Sequence, residues 1–218
     1  MSYRGTWQMG QVIKVFLASP GDVIEERVAV RAIIEEENRN HFNHAGYNLE
    51  VVGWETHASP GKGQPHPQGR INPLIDDCEL FIGILWARFG SPTGRSESGT
   101  QEEYEYALSL LASPDLPLCD IKIYFCDYSL KPSEIDLEQF RKVQEFKRKL
   151  EERGQIFHWT VDTPELFKRD FRRHISEWFR EYRERGGGKR LSMKNGKEKP
   201  KSSEESLSLR FRSITKGF

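Results

Sequence analysis

The sequence predicts an α/β domain with a five-stranded parallel sheet in the order 2-1-3-4-5, and three observations carry this. Short apolar, β-branched runs alternate along the chain with longer segments whose apolar residues recur at helical spacing. One run, Leu80-Phe81-Ile82-Gly83-Ile84-Leu85, is apolar throughout, as a buried central strand is. Strand-helix-strand connections are right-handed. The simplest doubly wound arrangement then sets the ends of strands 1 and 3 on either side of the topological switch point.

Taken in order, Gln11 to Ala18 is the first strand, stopped by Ser19-Pro20-Gly21. Asp22 fits the N-cap of the next helix, with Glu25 three residues on as in a capping box. That helix carries Val23, Val30 and Ile34 on one stripe, with Arg27 inside it. Leu49 to Trp54 is the second strand and leads into a long Gly-, Pro- and His-rich loop, a kind of loop that is usually functional. Ile71, Leu74, Ile75 and Cys78 mark a short helix before the central strand. A polar, glycine-bearing loop and a helix with carboxylates in its first turn follow that strand. Ile121 to Cys126 is the fourth strand, and Leu137, Phe140, Val143, Phe146 and Leu150 form the next helical stripe. Gln155 to Trp159 is a short fifth strand. Thr163-Pro164, a cap followed by proline at the first helical position, opens a final helix bearing Phe167, Phe171, Ile175, Trp178 and Tyr182.

A chain of 218 residues, 36% apolar and 30% charged, has room for one well-buried domain with extensions. Residues 1–185 read as that domain and 186–218 as a basic, flexible tail or linker opening on Gly186-Gly187-Gly188. The net charge of zero hides an asymmetry: the tail holds nine Lys or Arg against three Glu, +6, which leaves −6 on the domain. Bulk electrostatics therefore argue against nucleic-acid binding by the domain and leave such contact only to the tail. Cys78, Cys119 and Cys126 are odd in number and lack metal-type spacing, so they read as buried thiols of a reducing compartment. The longest apolar stretch is far below the roughly 18 residues of a membrane span, and no signal peptide precedes it, so the expectation is a soluble cytoplasmic protein.

Helical geometry singles out one glutamate. Tyr104, Ala107, Leu108, Leu110 and Leu111 share a face that must pack on the sheet. Glu103 lies at the edge of that face, while Glu102 and Glu105 fall opposite, toward water. A carboxylate on the buried side of a first turn either looks into a cleft or meets an internal partner such as Arg88 or Arg27, because an unpaired buried charge costs several kcal/mol. Ser19, Pro20, Gly21 and Asp22, together with Trp86, Arg88 and Thr100, belong to the same end of the sheet. The turn at Ser19-Pro20-Gly21 offers backbone N–H groups to a phosphate, although Asp22 at the cap competes for them. Arg88 or Arg27 suits a pyrophosphate or an internal ion pair, and Trp54 or Trp86 suits a base or ordinary packing. His57 and His66, nine residues apart, make a poor metal site, and Gly61-Lys62-Gly63 is too short for a phosphate-binding Walker loop.

Phe16-Leu17-Ala18-Ser19-Pro20-Gly21-Asp22-Val23 with Glu26-Arg27, then Ile82-Gly83-Ile84-Leu85-Trp86-Ala87-Arg88-Phe89-Gly90, then Ser98-Gly99-Thr100 with Glu103, carry a resemblance. Over residues 12 to 183 the chain resembles a TIR-like domain of unknown function that heads many multidomain proteins. That group is similar to Toll/interleukin-1 receptor domains and, more remotely, to nucleoside 2-deoxyribosyltransferases. The resemblance implies a three-layer flavodoxin-like, TIR-like fold. It also implies a catalytic glutamate four residues before an alanine, matched by Glu103 and Ala107; the deoxyribosyltransferases in addition carry a Gly-Thr pair before their glutamate, matched by Gly99-Thr100. The loop Glu55 to Gly63 stands where TIR domains carry a mobile loop that controls assembly and site access.

Three functions follow from the resemblance. The first is an NAD glycohydrolase that takes NAD as substrate, needs no cofactor or metal, and is activated by self-assembly as a homo-oligomer or within a larger multidomain assembly in a defence or stress response. The second is a non-enzymatic TIR-like module that senses a nucleotide or binds proteins. The third is a deoxyribosyltransferase-like enzyme acting on nucleosides. In the first, Glu103 is catalytic, and Ser19, Pro20, Gly21, Asp22, Trp54, Trp86, Arg88 and Thr100 bind the substrate.

Overall fold

A computed structural model describes residues 10–53, 73–94, 96–113, 115–131, 133, 135–154 and 157–187. Its strands are β1 (Gln11–Ala18), β2 (Tyr47–Val52), β3 (Leu80–Leu85), β4 (Asp120–Cys126) and β5 (Phe157–Val161). They form one five-stranded sheet in the order β2-β1-β3-β4-β5, with every pair parallel. The order expected from the alternation of strand and helix is the order found.

The long helices are α1 (Ile24–Glu37), α2 (Gly99–Leu111), α3 (Leu137–Arg153) and α4 (Pro164–Glu184). Alternation along each strand assigns them to two faces. Ile13, Val15 and Leu17 of β1 and Leu80, Ile82 and Ile84 of β3 point toward α1 and α4, against Val30, Ile34, Phe171, Ile175 and Trp178. Phe16 and Ala18 of β1 and Phe81 and Leu85 of β3 point the other way, toward Tyr104, Ala107, Val143, Phe146 and Leu150 of α2 and α3. Every residue of β3 is buried because both its faces are covered. Stacked Phe16 and Phe81, fully buried with centroids 5.6 Å apart, each contribute about 1.5–3 kcal/mol.

Local chemistry sets the helix ends. Ser98 caps α2 by accepting the Gln101 N–H, Asp136 caps α3 through Glu138 and Gln139, and Thr163 caps α4 through Leu166, ahead of Pro164. Gly154, at φ 57, ends α3 in the left-handed region. The expected cap at Asp22 is not formed: Val23 is the N-cap of α1 and no side chain caps that helix. The Asp22 carboxylate is taken by more distant donors, described below.

Two strands are shifted by two residues from their expected spans. β2 starts at Tyr47, where Gly46, at φ 83, turns the chain and Gln11 pairs with Tyr47. β5 runs on to Val161 because β-branched Thr160 and Val161 continue the pairing with Phe125 and Cys126. Of the short helix expected before β3, residues 73–76 are helical, while Ile71 lies outside the described residues.

The outer edge of β2 is closed by side chains. α1 continues into a π-helical turn, Asn38–Phe42, which brings the Asn38 amide against Leu49. Asn38 donates to the Leu49 carbonyl and accepts the Leu49 N–H, both at 2.8 Å, and Arg31 donates to the Val51 carbonyl at 3.0 Å. These are the strand's outward-facing groups, which otherwise template pairing with another chain.

Candidate functional site

The helices after β1 and β3 leave the sheet on opposite faces, so a crevice opens between their first turns at the carboxyl ends of the strands, the usual ligand position in such sheets. α2 forms one wall. Thr100, Glu103 and Ala107 lie along its sheet-facing stripe, and all three are buried. Glu103 is 4% exposed, facing inward as its helical position requires. No donor among the described residues hydrogen-bonds its carboxyl, and neither Arg88 nor Arg27 forms the ion pair that was one expectation for it. Burial, reinforced by the neighbouring Glu102 charge, pushes the Glu103 carboxyl up to about 8.

The two neighbouring glutamates therefore differ in kind. Glu105 is exposed, as expected. Glu102 is half-buried instead of water-facing, because the Thr93 hydroxyl donates to it at 2.5 Å from the loop after β3.

The β1 loop and α1 form the other wall. Ser19 and Pro20 are buried, Gly21 is exposed and Asp22 is half-buried. A Cβ placed on Gly21 would meet no atom within 4 Å, so the space above this turn is open. Asp22 crosses from the end of β1 to the end of β3, where its Oδ2 accepts the backbone N–H of Ala87 at 2.9 Å and of Arg88 at 2.8 Å. The next two N–H groups, of Phe89 and Gly90, donate to Gln139 Oε1 of α3 at 2.9 and 3.1 Å. Four successive backbone donors after β3 are thus already filled by the protein's own acceptors. The Arg88 side chain is exposed, and Trp86 is half-buried with its ring 5.4 Å from that of Tyr128. Trp54 and the Glu55 to Gly63 loop, with His57 and His66, lie outside the described residues.

Sequence reading missed the depth of this wall. Glu26 is buried at 5% exposure in the first turn of α1. Tyr128, two residues beyond β4, lies beside it: burial, then Cys126, then Glu26 all hold its hydroxyl protonated. Burial likewise raises the Cys126 thiol to about 12, so it stays neutral. Glu26 was visible as part of the Glu26-Arg27 pair, but nothing local marks Tyr128, which arrives through strand order alone.

Two hollows lie elsewhere. One of about 930 Å³ sits among His41, His44, Tyr47, Phe179, Arg180 and Arg183, and one of about 500 Å³ among Ile24, Val28, Ala32, Ile33, Lys168 and Arg172. Neither is lined by a residue expected in the site, and both belong to the α1 and α4 flank, so the unpaired polar groups locate the chemistry better than these hollows do. Among the described residues no group of three or more His, Cys, Asp or Glu could hold a metal ion. No helix among them is long and apolar enough to cross a membrane.

No curated protein matches the chain in sequence. Among solved structures it is similar to translation elongation factor SelB from Methanococcus maripaludis in complex with the GTP analogue GPPNHP. The identity is 12% and the TM-score 0.44, over 78% of this chain and 34% of that one. It is also similar to oxidised flavodoxin 1 from Bacillus cereus, at 11% identity and TM-score 0.38, over 78% of this chain and 98% of that one. The chain spans about a third of the elongation factor, and likenesses this loose carry no argument about function. A family model does match, over residues 14–176: the chain belongs to the DUF4062 family, a domain of unknown function.

Proposed function

We propose that this domain is a TIR-like NAD glycohydrolase, with Glu103 as its catalytic group. The observation that carries this reading is a carboxyl buried at the carboxyl end of a doubly wound sheet with no cation and no donor among the described residues to satisfy it. A structural carboxylate in that position has a partner; one kept for a ligand does not. NAD brings the missing positive charge in its pyridinium ring, and the transition state brings more of it onto the ribose.

The chemistry balances simply. The bond between ribose C1′ and the nicotinamide nitrogen breaks, and its electron pair stays on nitrogen, so nicotinamide leaves neutral and needs no strong acid. The oxocarbenium character left on the ribose is stabilised by the ionised Glu103 carboxylate. Water adds to C1′ and loses a proton, giving ADP-ribose. Thr100, one turn before Glu103, lines the same wall, and the open space above Gly21 gives the substrate an approach.

Activation by self-assembly in a defence or stress response belongs to the same proposal. Ile24 and Val28, 59% and 62% exposed on the outer side of α1, supply an apolar strip that assembly would cover. The test is nicotinamide release from NAD by concentrated protein, in parallel with Glu103→Ala and Glu102→Ala. Loss confined to the Glu103 variant supports the hydrolase. Equal loss in both would assign the effect to structure, absence of turnover at every concentration would favour the nucleotide-sensing module, and base exchange between nucleosides would favour a transferase.

A further inference from the structure

Ser19 Oγ and Asp22 Oδ1 are buried and have no hydrogen-bond partner among the described residues; the buried Tyr128 hydroxyl makes no hydrogen bond of good geometry there and has only loose contacts with Glu26 and Cys126. All three belong to the wall of the crevice opposite Glu103. Ser19 directly follows β1, in the strand position whose side chain alternates onto the α1 face, and it is 7% exposed. Asp22 is held by its other oxygen to the Ala87 and Arg88 N–H groups. Tyr128 packs on Trp86, whose indole N–H donates to the Tyr128 carbonyl at 3.4 Å. Glu26 lies close enough to Tyr128 and Cys126 to act on both, and Cys126 is also within reach of the Asp22 charge. Ser19, Glu26 and Cys126 are buried and form the floor; Asp22, Trp86 and Tyr128 are half-buried and form the rim.

The chemical character of this group follows from counting what it offers. Two carboxylates accept only, and two hydroxyls both accept and donate, so acceptors outnumber donors. A buried carboxylate oxygen left without a donor is costly, and the donors missing here are O–H or N–H groups, not anions. Glu25 and Glu26 in the first turn of α1 further repel a phosphate from that helix end, and the four N–H groups after β3 are already taken. These charges and filled donors favour a neutral, donor-bearing group over a phosphate beside this wall.

We propose that Ser19, Asp22, Glu26 and Tyr128 form a subsite for the ribose cis-diol of a nucleoside, with the Trp86 ring at its rim. The proposal deepens the NAD glycohydrolase reading and rests on it for the identity of the nucleoside. The two sugar hydroxyls donate to Asp22 Oδ1 and the Glu26 carboxylate, while the Ser19 and Tyr128 hydroxyls close the remaining bonds. The diol is thereby fixed on the wall facing Glu103.

Binding of nicotinamide riboside and adenosine to the full chain, each against its 2′,3′-dideoxy counterpart, tests this by calorimetry. At least one riboside should bind, at least about tenfold more tightly than its dideoxy form, since two charge-assisted hydrogen bonds are lost. Tyr128→Phe and Ser19→Ala should each weaken that riboside about three- to tenfold and leave the dideoxy compound unaffected. Glu103→Gln should keep the discrimination. Thermal melts establish that each variant is folded; if Tyr128→Phe is not, Ser19→Ala, which removes one oxygen, decides alone. No binding of either riboside at millimolar concentration, equal affinity with and without the diol, or full riboside affinity in a folded Ser19→Ala overturns the subsite. The two readings fail separately: NAD hydrolysis without diol discrimination removes the subsite and keeps Glu103, and discrimination without hydrolysis does the reverse.

Discussion

The Asp22 carboxylate accepts the backbone N–H of Arg88 at 2.8 Å, joining the loop after β1 to the loop after β3, the two chain segments that flank the switch point. The same oxygen holds the Ala87 N–H at 2.9 Å. Removing it leaves two backbone donors without an acceptor and unties the two walls of the crevice. Asp22→Ala should lower the unfolding free energy by about 2–3 kcal/mol, from charge-assisted bonds worth about 1.5–3 kcal/mol each less what water restores. Asp22→Asn, which keeps an acceptor oxygen, should cost less than half of that. Urea denaturation checks both, and an unchanged midpoint for Asp22→Ala would mean that the tie is dispensable.

Asp22 also shows where the sequence was legible and where it was not. The strand order, the sheet-facing stripe of α2 and the caps at Thr163 and Ser98 follow from periodicity and from side chains that act within four residues of themselves. Asp22-Val23-Ile24-Glu25 has a capping pattern of the same local kind, yet its carboxylate is drawn away by donors 65 residues distant, which only the folded sheet brings within reach. Tyr128 is hidden for the same reason, since it joins Glu26 through strand order. The inward aim of Glu103 was legible because it depends only on the helical repeat. Its lack of a partner was not, because Arg88 and Arg27 were equally available on paper.

Glu103 makes stability depend on pH in an unusual direction. Its carboxyl titrates near 4.5 when unfolded and near 8 when folded, so between those values the native state holds the proton more tightly. Below pH 4.5 both states are protonated and the group is neutral in its effect. As pH rises toward 8 the unfolded state gains by ionising, so native stability falls, and above 8 the loss is complete and constant. Glu103→Gln carries no such proton. Its melting temperature should exceed that of the wild-type chain by a margin that widens from pH 5 to pH 8.5, and a constant margin would place the carboxyl in a solvated setting. If the ionised form is the catalytic one, nicotinamide release should rise through the same range. Glu102→Gln, by removing a neighbouring negative charge, should shift both profiles to lower pH.

Gly21 separates folding from substrate access. Its φ is outside the left-handed region, and a side chain there meets open space, so nothing in the protein itself requires glycine. Gly21→Phe should melt within a few degrees of the wild-type chain. The ring would occupy the approach above the β1 turn, and nicotinamide release should fall at least about tenfold, chiefly through KM, because access and not the chemical step is obstructed. Full activity in a folded Gly21→Phe would show that the substrate does not cross this turn.

Asn38 tests how the sheet is kept from growing. Its amide meets both the N–H and the carbonyl of Leu49, a pairing that imitates a sixth strand with one side chain. Asn38→Ala leaves a buried donor and a buried acceptor unsatisfied, at about 1–3 kcal/mol each before water enters. The expected loss is about 2–4 kcal/mol in urea, with faster amide exchange at Leu49. A second effect follows from the geometry: an opened β2 edge, with Arg31 still on the Val51 carbonyl, is a template for strand addition. Asn38→Ala should therefore form larger species on gel filtration at concentrations where the wild-type chain does not, and Asn38→Asp, which can accept but not donate, should lie between the two.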